Sequence, residues 1–143
     1  MPHLVILYTA NIEAQVDVAA LCRELADTMV SIKDEQAKQV FPTGGVRVLA
    51  YPAKYHAVAD GGAAGKAAGC SGDYGFVYLN LRMARGRGDS VKQHIGKALE
   101  NVVMEHLRTL LEREHIGITL QIDEGQEVFD AKNSSLHPLF RKN

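Results

Sequence analysis

The second residue is a proline, and it opens an apolar run, Pro2-His3-Leu4-Val5-Ile6-Leu7-Tyr8. Removal of Met1 would leave Pro2 as an amino-terminal secondary amine instead of an amide. Beside an apolar strand that nitrogen would be partly desolvated, which lowers an amine pKa toward neutrality. Pro2 is then a candidate general base near pH 7. Arg47 follows the turn cluster Phe41-Pro42-Thr43-Gly44-Gly45 and stands at the start of a strand, where its side chain can reach into a cleft. A basic turn, Arg85-Gly86-Arg87-Gly88, follows a later strand. Each feature also has a bland reading: a proline after a start Met, a solvated strand-end arginine, a charged surface turn.

Other chemistries fail on spacing. Gly65-Lys66 resembles part of a phosphate loop, but that motif needs Gly where Asp60 stands and Ser or Thr where Ala67 stands. No two histidines show metal-ligand spacing, and no H-E-x-x-H helix occurs. Cys22 falls on an apolar helical face and Cys70 in a glycine-rich loop, so both read as free thiols. Asn133-Ser134-Ser135 matches a glycosylation acceptor, which means little without a secretory signal.

The elements that must position these residues follow from periodicity. His3–Tyr8 reads as a strand covered on both faces, ended by Thr9-Ala10-Asn11. Asp17 caps a helix whose stripe is Val18, Leu21, Cys22, Leu25 and Met29, ending near Val30. Residues 31–39 have no clear assignment. Val46–Tyr51 reads as a second strand. Residues 59–72, rich in Gly, Ala and Ser, read as a flexible loop or insertion. Asp73–Met83 reads as a strand with Tyr74, Phe76 and Tyr78 on one face, Phe76 being a core residue and the tyrosines candidate pocket walls. Ser90 and Gln93 form a capping box before a second helix carrying Ile95, Leu99, Val103, Leu107 and Leu110. On that stripe His106 reads as a core or interface residue. Gly117 stops the helix, and Ile118–Asp123 alternates as a half-buried strand.

At 143 residues, 46% hydrophobic and 23% charged, the chain fits one ordinary globular domain. Its divisions are a βαβ unit over 1–58, the Gly/Ala-rich loop 59–72, a second βαβ unit over 73–124 and a tail over 125–143. The net charge of -1 gives no reason to expect nucleic acid or an acidic membrane as partner, and a nucleic-acid binder built on Arg82, Arg85 and Arg87 lacks the net charge and interleaved aromatics expected. No run is long enough to span a bilayer and no basic lead-in marks a signal peptide, so the expected location is cytoplasmic. The two units repeat: their strands begin near His3 and Val46, 43 residues apart, and near Tyr74 and Ile118, 44 apart. The expected fold is α/β (α+β), two consecutive βαβ units forming a four-stranded mixed sheet with two helices on one face. The other sheet face is apolar too and needs cover, so an oligomer is expected.

The residues Met1-Pro2-His3, Asn11, Phe41-Pro42, Gly45-Val46-Arg47, Asp73-Tyr74-Gly75-Phe76-Val77, Leu81-Arg82-Met83, Gly86-Arg87, Asn133 and His137-Pro138-Leu139-Phe140 occur in this order across nearly the whole chain. In them the chain resembles the 5-carboxymethyl-2-hydroxymuconate isomerase family of the tautomerase superfamily. That resemblance implies a homotrimer with no cofactor and no metal, acting on an unsaturated di- or triacid from aromatic-compound breakdown. By position it implies Pro2 as catalytic base and Arg47 and Arg87 as substrate-binding residues. Leu7 departs from the family pattern, which often has an acidic residue there, and the loop 59–72 is longer than usual. One amine can take a proton from one carbon and return it to another, while an arginine stabilises the charge on the conjugated carbonyl. The alternatives are a tautomerase-type enzyme on a different enol or oxo acid, and a non-catalytic trimeric small-molecule-binding scaffold in which Met1 stays and Pro2 is an amide.

Overall fold

The computed structural model describes residues 2–141. Its four strands are β1 (His3–Thr9), β2 (Arg47–Ala53), β3 (Gly75–Met83) and β4 (Ile116–Glu124), and its longer helices are α1 (Val18–Ser31) and α3 (Asp89–Arg113), with the short α2 (Ala63–Ala67) between β2 and β3. The sheet order is β2-β1-β3-β4. The β1/β2 and β3/β4 pairs are parallel, and β1/β3 is antiparallel. Each parallel pair needs a crossover, and α1 and α3 supply the two. The chain is therefore two βαβ units joined edge to edge through β1 and β3, the mixed sheet that the repeat predicts.

Period-2 alternation decides which side chains meet the helices. Leu4, Ile6 and Tyr8 of β1 and Val77, Leu79, Leu81 and Met83 of β3 are buried against Leu21, Leu25 and Met29 of α1 and Ile95, Leu99, Val103 and Leu107 of α3. Val48 and Ala50 of β2, and Ile118, Leu120 and Ile122 of β4, widen this layer at the sheet edges, half-buried. Asp17 caps α1 as expected, its carboxylate accepting from the Ala20 amide at 2.9 Å. Between the helices His106 pairs with Glu24.

The opposite sheet face is only partly covered by the described residues of one chain. Leu7, Leu49 and Tyr51 are each about half exposed there, at 44%, 45% and 51%. The expectation that β1 is covered on both faces therefore holds on one face of the isolated chain. Tyr78 donates to Gln121, and Asn80 to Asp123, across the β3–β4 half of this face.

Several local expectations are corrected. α3 begins at Asp89 after an extended Gly88 with no side-chain cap, and Ser90 donates instead to Glu35, so the capping box does not form. α3 ends at Arg113, and Gly117 lies inside β4, where its bare α-carbon faces the Phe76 ring. Phe76 is not core: it is 37% exposed on the open face and stacks on Tyr78 at 6.4 Å between centroids. The stretch 59–72 contains the helical turn α2, held by Asp60, which accepts from the Gly62 and Ala64 amides, and by Tyr74, whose hydroxyl accepts from the Gly65 amide. Residues 32–40 form a tight turn: Lys33 bridges Gln39, and Asp34 accepts from the Gln36 and Lys38 amides.

Candidate active site

Pro2 sits just ahead of β1 and is buried. Proline has no N–H to donate to a ladder, and it is tolerated at the start of a strand. Its carbonyl accepts from the Arg47 amide at 3.3 Å, which ties the start of β1 to the start of β2. Met1 lies outside the described residues, so the expected exposure of the Pro2 nitrogen on its removal lies there too.

The segment from Val40 to Val46 approaches Pro2 at Gly45. Phe41 is completely buried and anchors it. Thr43–Gly45 then make a 3-10 turn, with the Gly45 amide donating to the Pro42 carbonyl at 2.8 Å. Both glycines are buried and neither has room for a side chain without adjustment. A Cβ on Gly45 would lie 3.2 Å from Pro42 Cγ, 3.5 Å from Pro2 Cδ and 3.7 Å from His137 Cε1. A Cβ on Gly44 would lie 3.0 Å from Phe140 Cδ2 and 3.1 Å from His137 Cα. The C-terminal 3-10 turn His137–Phe140 thus packs back on the 43–45 turn.

Both arginines are bound to this same segment. One terminal nitrogen of Arg47 donates to the Gly44 carbonyl at 2.9 Å and to the Val46 carbonyl at 2.8 Å. Arg87 donates to the Ala84 carbonyl at 2.9 Å and, from its other terminal nitrogen, to the Val40 carbonyl at 3.1 Å. Its guanidinium carbon stands 5.0 Å from the centroid of the Phe41 ring, a cation–π arrangement. Burial draws the Arg87 guanidinium below the ordinary arginine pKa, with Glu124 opposing that shift. A guanidinium has five N–H donors, so these backbone contacts fix its plane without using all of them.

Among the described residues, the two arginines line different clefts. Arg47 lines a cleft of about 670 Å³ with Arg23, Thr43, Gly44, Leu136 and Phe140. Arg87 lines another of about 530 Å³ with Arg85, Asp34, Lys38 and Ser90. Pro2 is in the lining of neither. Tyr74, Phe76 and Tyr78 are not beside Pro2 either. His3 pairs with Arg82, so the Pro2 end of the sheet is the Arg82 end of β3, and Tyr74 precedes the opposite end. His137 was legible only as part of a C-terminal motif, because nothing local says which turn that motif meets.

The mixed sheet of two βαβ units is a fold shared at low identity by solved structures that include a fused 4-OT trimer and a member of the cis-3-chloroacrylic acid dehalogenase family, and the chain is an isomerase. The family model of 5-carboxymethyl-2-hydroxymuconate isomerase matches residues 2–140, and the chain belongs to that family. A crystal structure of a 5-carboxymethyl-2-hydroxymuconate delta-isomerase is 54% identical, with 100% of this chain and 95% of that chain covered and a TM-score of 0.96. A second, the 5-carboxymethyl-2-hydroxymuconate isomerase of Deinococcus radiodurans R1, is 27% identical over 99% of this chain and 95% of that chain, with a TM-score of 0.80. The 5-carboxymethyl-2-hydroxymuconate Delta-isomerase of Escherichia coli is 24% identical over 99% of this chain and 100% of its own length.

Proposed function

We propose that this protein moves a proton along an unsaturated oxo or hydroxy tricarboxylic acid, 5-carboxymethyl-2-hydroxymuconate, in the breakdown of aromatic compounds. Pro2, freed by loss of Met1, is the general base, and Arg47 and Arg87 bind the substrate's carboxylates and carbonyl. The protein works in the cytoplasm as a homotrimer. The observation that carries this reading is the seat of Pro2: a buried pyrrolidine against a glycine turn, on a segment whose carbonyls hold both guanidinium groups.

The chemistry follows from those groups. The uncharged amine takes a proton from the substrate, and the electron pair left behind spreads through the conjugated system onto the carbonyl oxygen. A guanidinium near that oxygen stabilises the negative charge, and a second guanidinium holds a remote carboxylate by paired hydrogen bonds. The ammonium then returns the same proton to another carbon of the conjugated chain, the double bond shifts, and the amine is regenerated. Burial and neighbouring positive charge both disfavour the ammonium, which keeps the amine available as a base.

The homotrimer accounts for two features at once. It covers the half-exposed Leu7, Leu49 and Tyr51, and it allows the arginine-lined clefts of one chain to meet the Pro2 of another. The deciding experiment compares one protein with two N-termini, Met1 retained and Met1 removed, each verified by intact mass. Ultraviolet assay on the muconate-type triacid should show turnover only from the Met1-free form. Equal rates from both would remove Pro2 as the base.

A further inference from the structure

Once Met1 is gone, Pro2 is tethered through its carbonyl carbon alone. No covalent bond then holds the nitrogen side of the pyrrolidine, so its orientation depends on packing. The atom next to the nitrogen on that side is Cδ. It lies 3.5 Å from the point where a Gly45 Cβ would stand, and Pro42 Cγ and His137 Cε1 lie 3.2 Å and 3.7 Å from the same point. Three rings therefore converge beside Gly45. Pro42 and Gly45 are neighbours in sequence and belong to one turn, joined by the Gly45 amide donating to the Pro42 carbonyl. His137 is brought from the far end of the chain by its own 3-10 turn. Its backbone and Nδ1 also sit 3.1 and 3.2 Å from the vacant Cβ position of Gly44, with the Phe140 ring at 3.0 Å, so the turn and the tail interlock.

We propose that His137 is a positioning residue for the Pro2 base, holding the Gly44–Gly45 turn against the nitrogen side of the pyrrolidine. It acts through the turn and need not touch the reacting atoms. The proposal rests on Pro2 being the base, and it adds that the base is aligned only when the C-terminal turn is docked. Proton transfer depends steeply on alignment: a displacement of about 1 Å can cost about a hundredfold in rate. A loosened pyrrolidine should therefore lower kcat and leave substrate capture, which the arginines perform, largely in place.

The test uses the full chain with Met1 removed and the muconate-type triacid as probe. His137→Ala should lower kcat about tenfold or more, with KM within about threefold and the thermal midpoint within a few degrees of the parent. His137→Gln, which keeps length and a polar end, should recover a substantial part of kcat. An unchanged kcat in His137→Ala overturns the proposal. So does a loss in which Gln recovers nothing and the thermal midpoint falls in step, because that is the signature of a fold anchor. Should His137→Ala fail to fold, the kcat and KM of His137→Gln decide by the same criteria. Failure of the Pro2 reading is seen separately, in the comparison of Met1-retained and Met1-free forms of the unsubstituted protein.

Discussion

The amide of Arg47 donates to the carbonyl of Pro2 at 3.3 Å, so the proposed base and one proposed carboxylate-binding arginine are one hydrogen bond apart along the backbone. Their relative position is set by the parallel β1/β2 register, in which His3 pairs with Arg47. Sheet pairing, not a flexible loop, sets the backbone spacing of these two residues. Arg87 is placed differently, by the Val40 carbonyl and the Phe41 ring.

Truncating either guanidinium should therefore weaken turnover of a dicarboxylate or tricarboxylate. Loss of a charge-assisted hydrogen bond is worth about 1.5–3 kcal/mol, or about ten- to a hundredfold in kcat/KM. Steady-state kinetics of Arg47→Ala and Arg87→Ala should show that loss. Lysine at either place should restore activity only in part, since an ammonium lacks the planar fork. Full activity in both alanine variants would contradict the pocket.

A pH profile reports on the base. In the Met1-free protein, kcat/KM should rise with pH as the Pro2 ammonium loses its proton. Pro2→Ala leaves a primary amine in nearly the same place, with altered basicity and a freer backbone. It should keep measurable activity at much reduced rate, and its profile should move relative to the parent. A pH profile unchanged by Pro2→Ala would count against the assignment.

Assembly is tested by sedimentation. Half-exposed Leu7, Leu49 and Tyr51 on a sheet face without helices favour association. At micromolar concentration the protein should sediment as a trimer. A stable monomer would show that this face is tolerated bare.

The interlock at Gly44 makes a stability prediction. A methyl group there meets the Phe140 ring at 3.0 Å and the His137 backbone at 3.1 Å, and backbone cannot swing aside as a flexible side chain can. Gly44→Ala should cost about 1–3 kcal/mol of unfolding free energy, the usual range for overpacking. Chemical denaturation would measure it, and amide exchange should show the turn His137–Phe140 losing protection first. An unaltered unfolding midpoint would mean that the tail is not seated on this turn.

Asp60 carries a pH signature for α2. The hydrogen bond from the Ala64 amide is the largest cause holding its carboxyl below the usual aspartate range, with the Gly62 amide adding to it and desolvation opposing. A depressed folded pKa contributes stability above the unfolded value of about 3.9, and that contribution is lost as pH falls through the folded value. The Ala64 amide resonance should therefore titrate with a midpoint below the ordinary aspartate range. Asp60→Ala should abolish that titration and speed amide exchange in Ala63–Ala67 at neutral pH. A midpoint at or above about 3.9 would show that these hydrogen bonds are not formed.

The amino-acid sequence by itself determined the sheet and the two long helices. Alternation in Leu4, Ile6, Tyr8 and in Val77, Leu79, Leu81, and the helical stripes from Leu21 and Ile95, depend only on which side of a strand or helix each residue occupies. The same local rules marked Pro2 and Arg47 as candidates, because each lies where one element begins. Rules of this kind went wrong where a long-range contact competed with them. Ser90 is spent on Glu35 instead of a cap, Gly117 is required against Phe76 instead of at a helix end, and Asp60 and Tyr74 fold part of a stretch that composition marks as loop. Only the tertiary structure decided that the two arginines reach the same Val40–Val46 segment and that His137 meets Gly44 and Gly45. Arg47 reaches the carbonyls of its near neighbours, but the Arg87–Val40 and His137–Gly44 contacts join residues distant in the chain, and close approach to a bare glycine leaves no periodic trace.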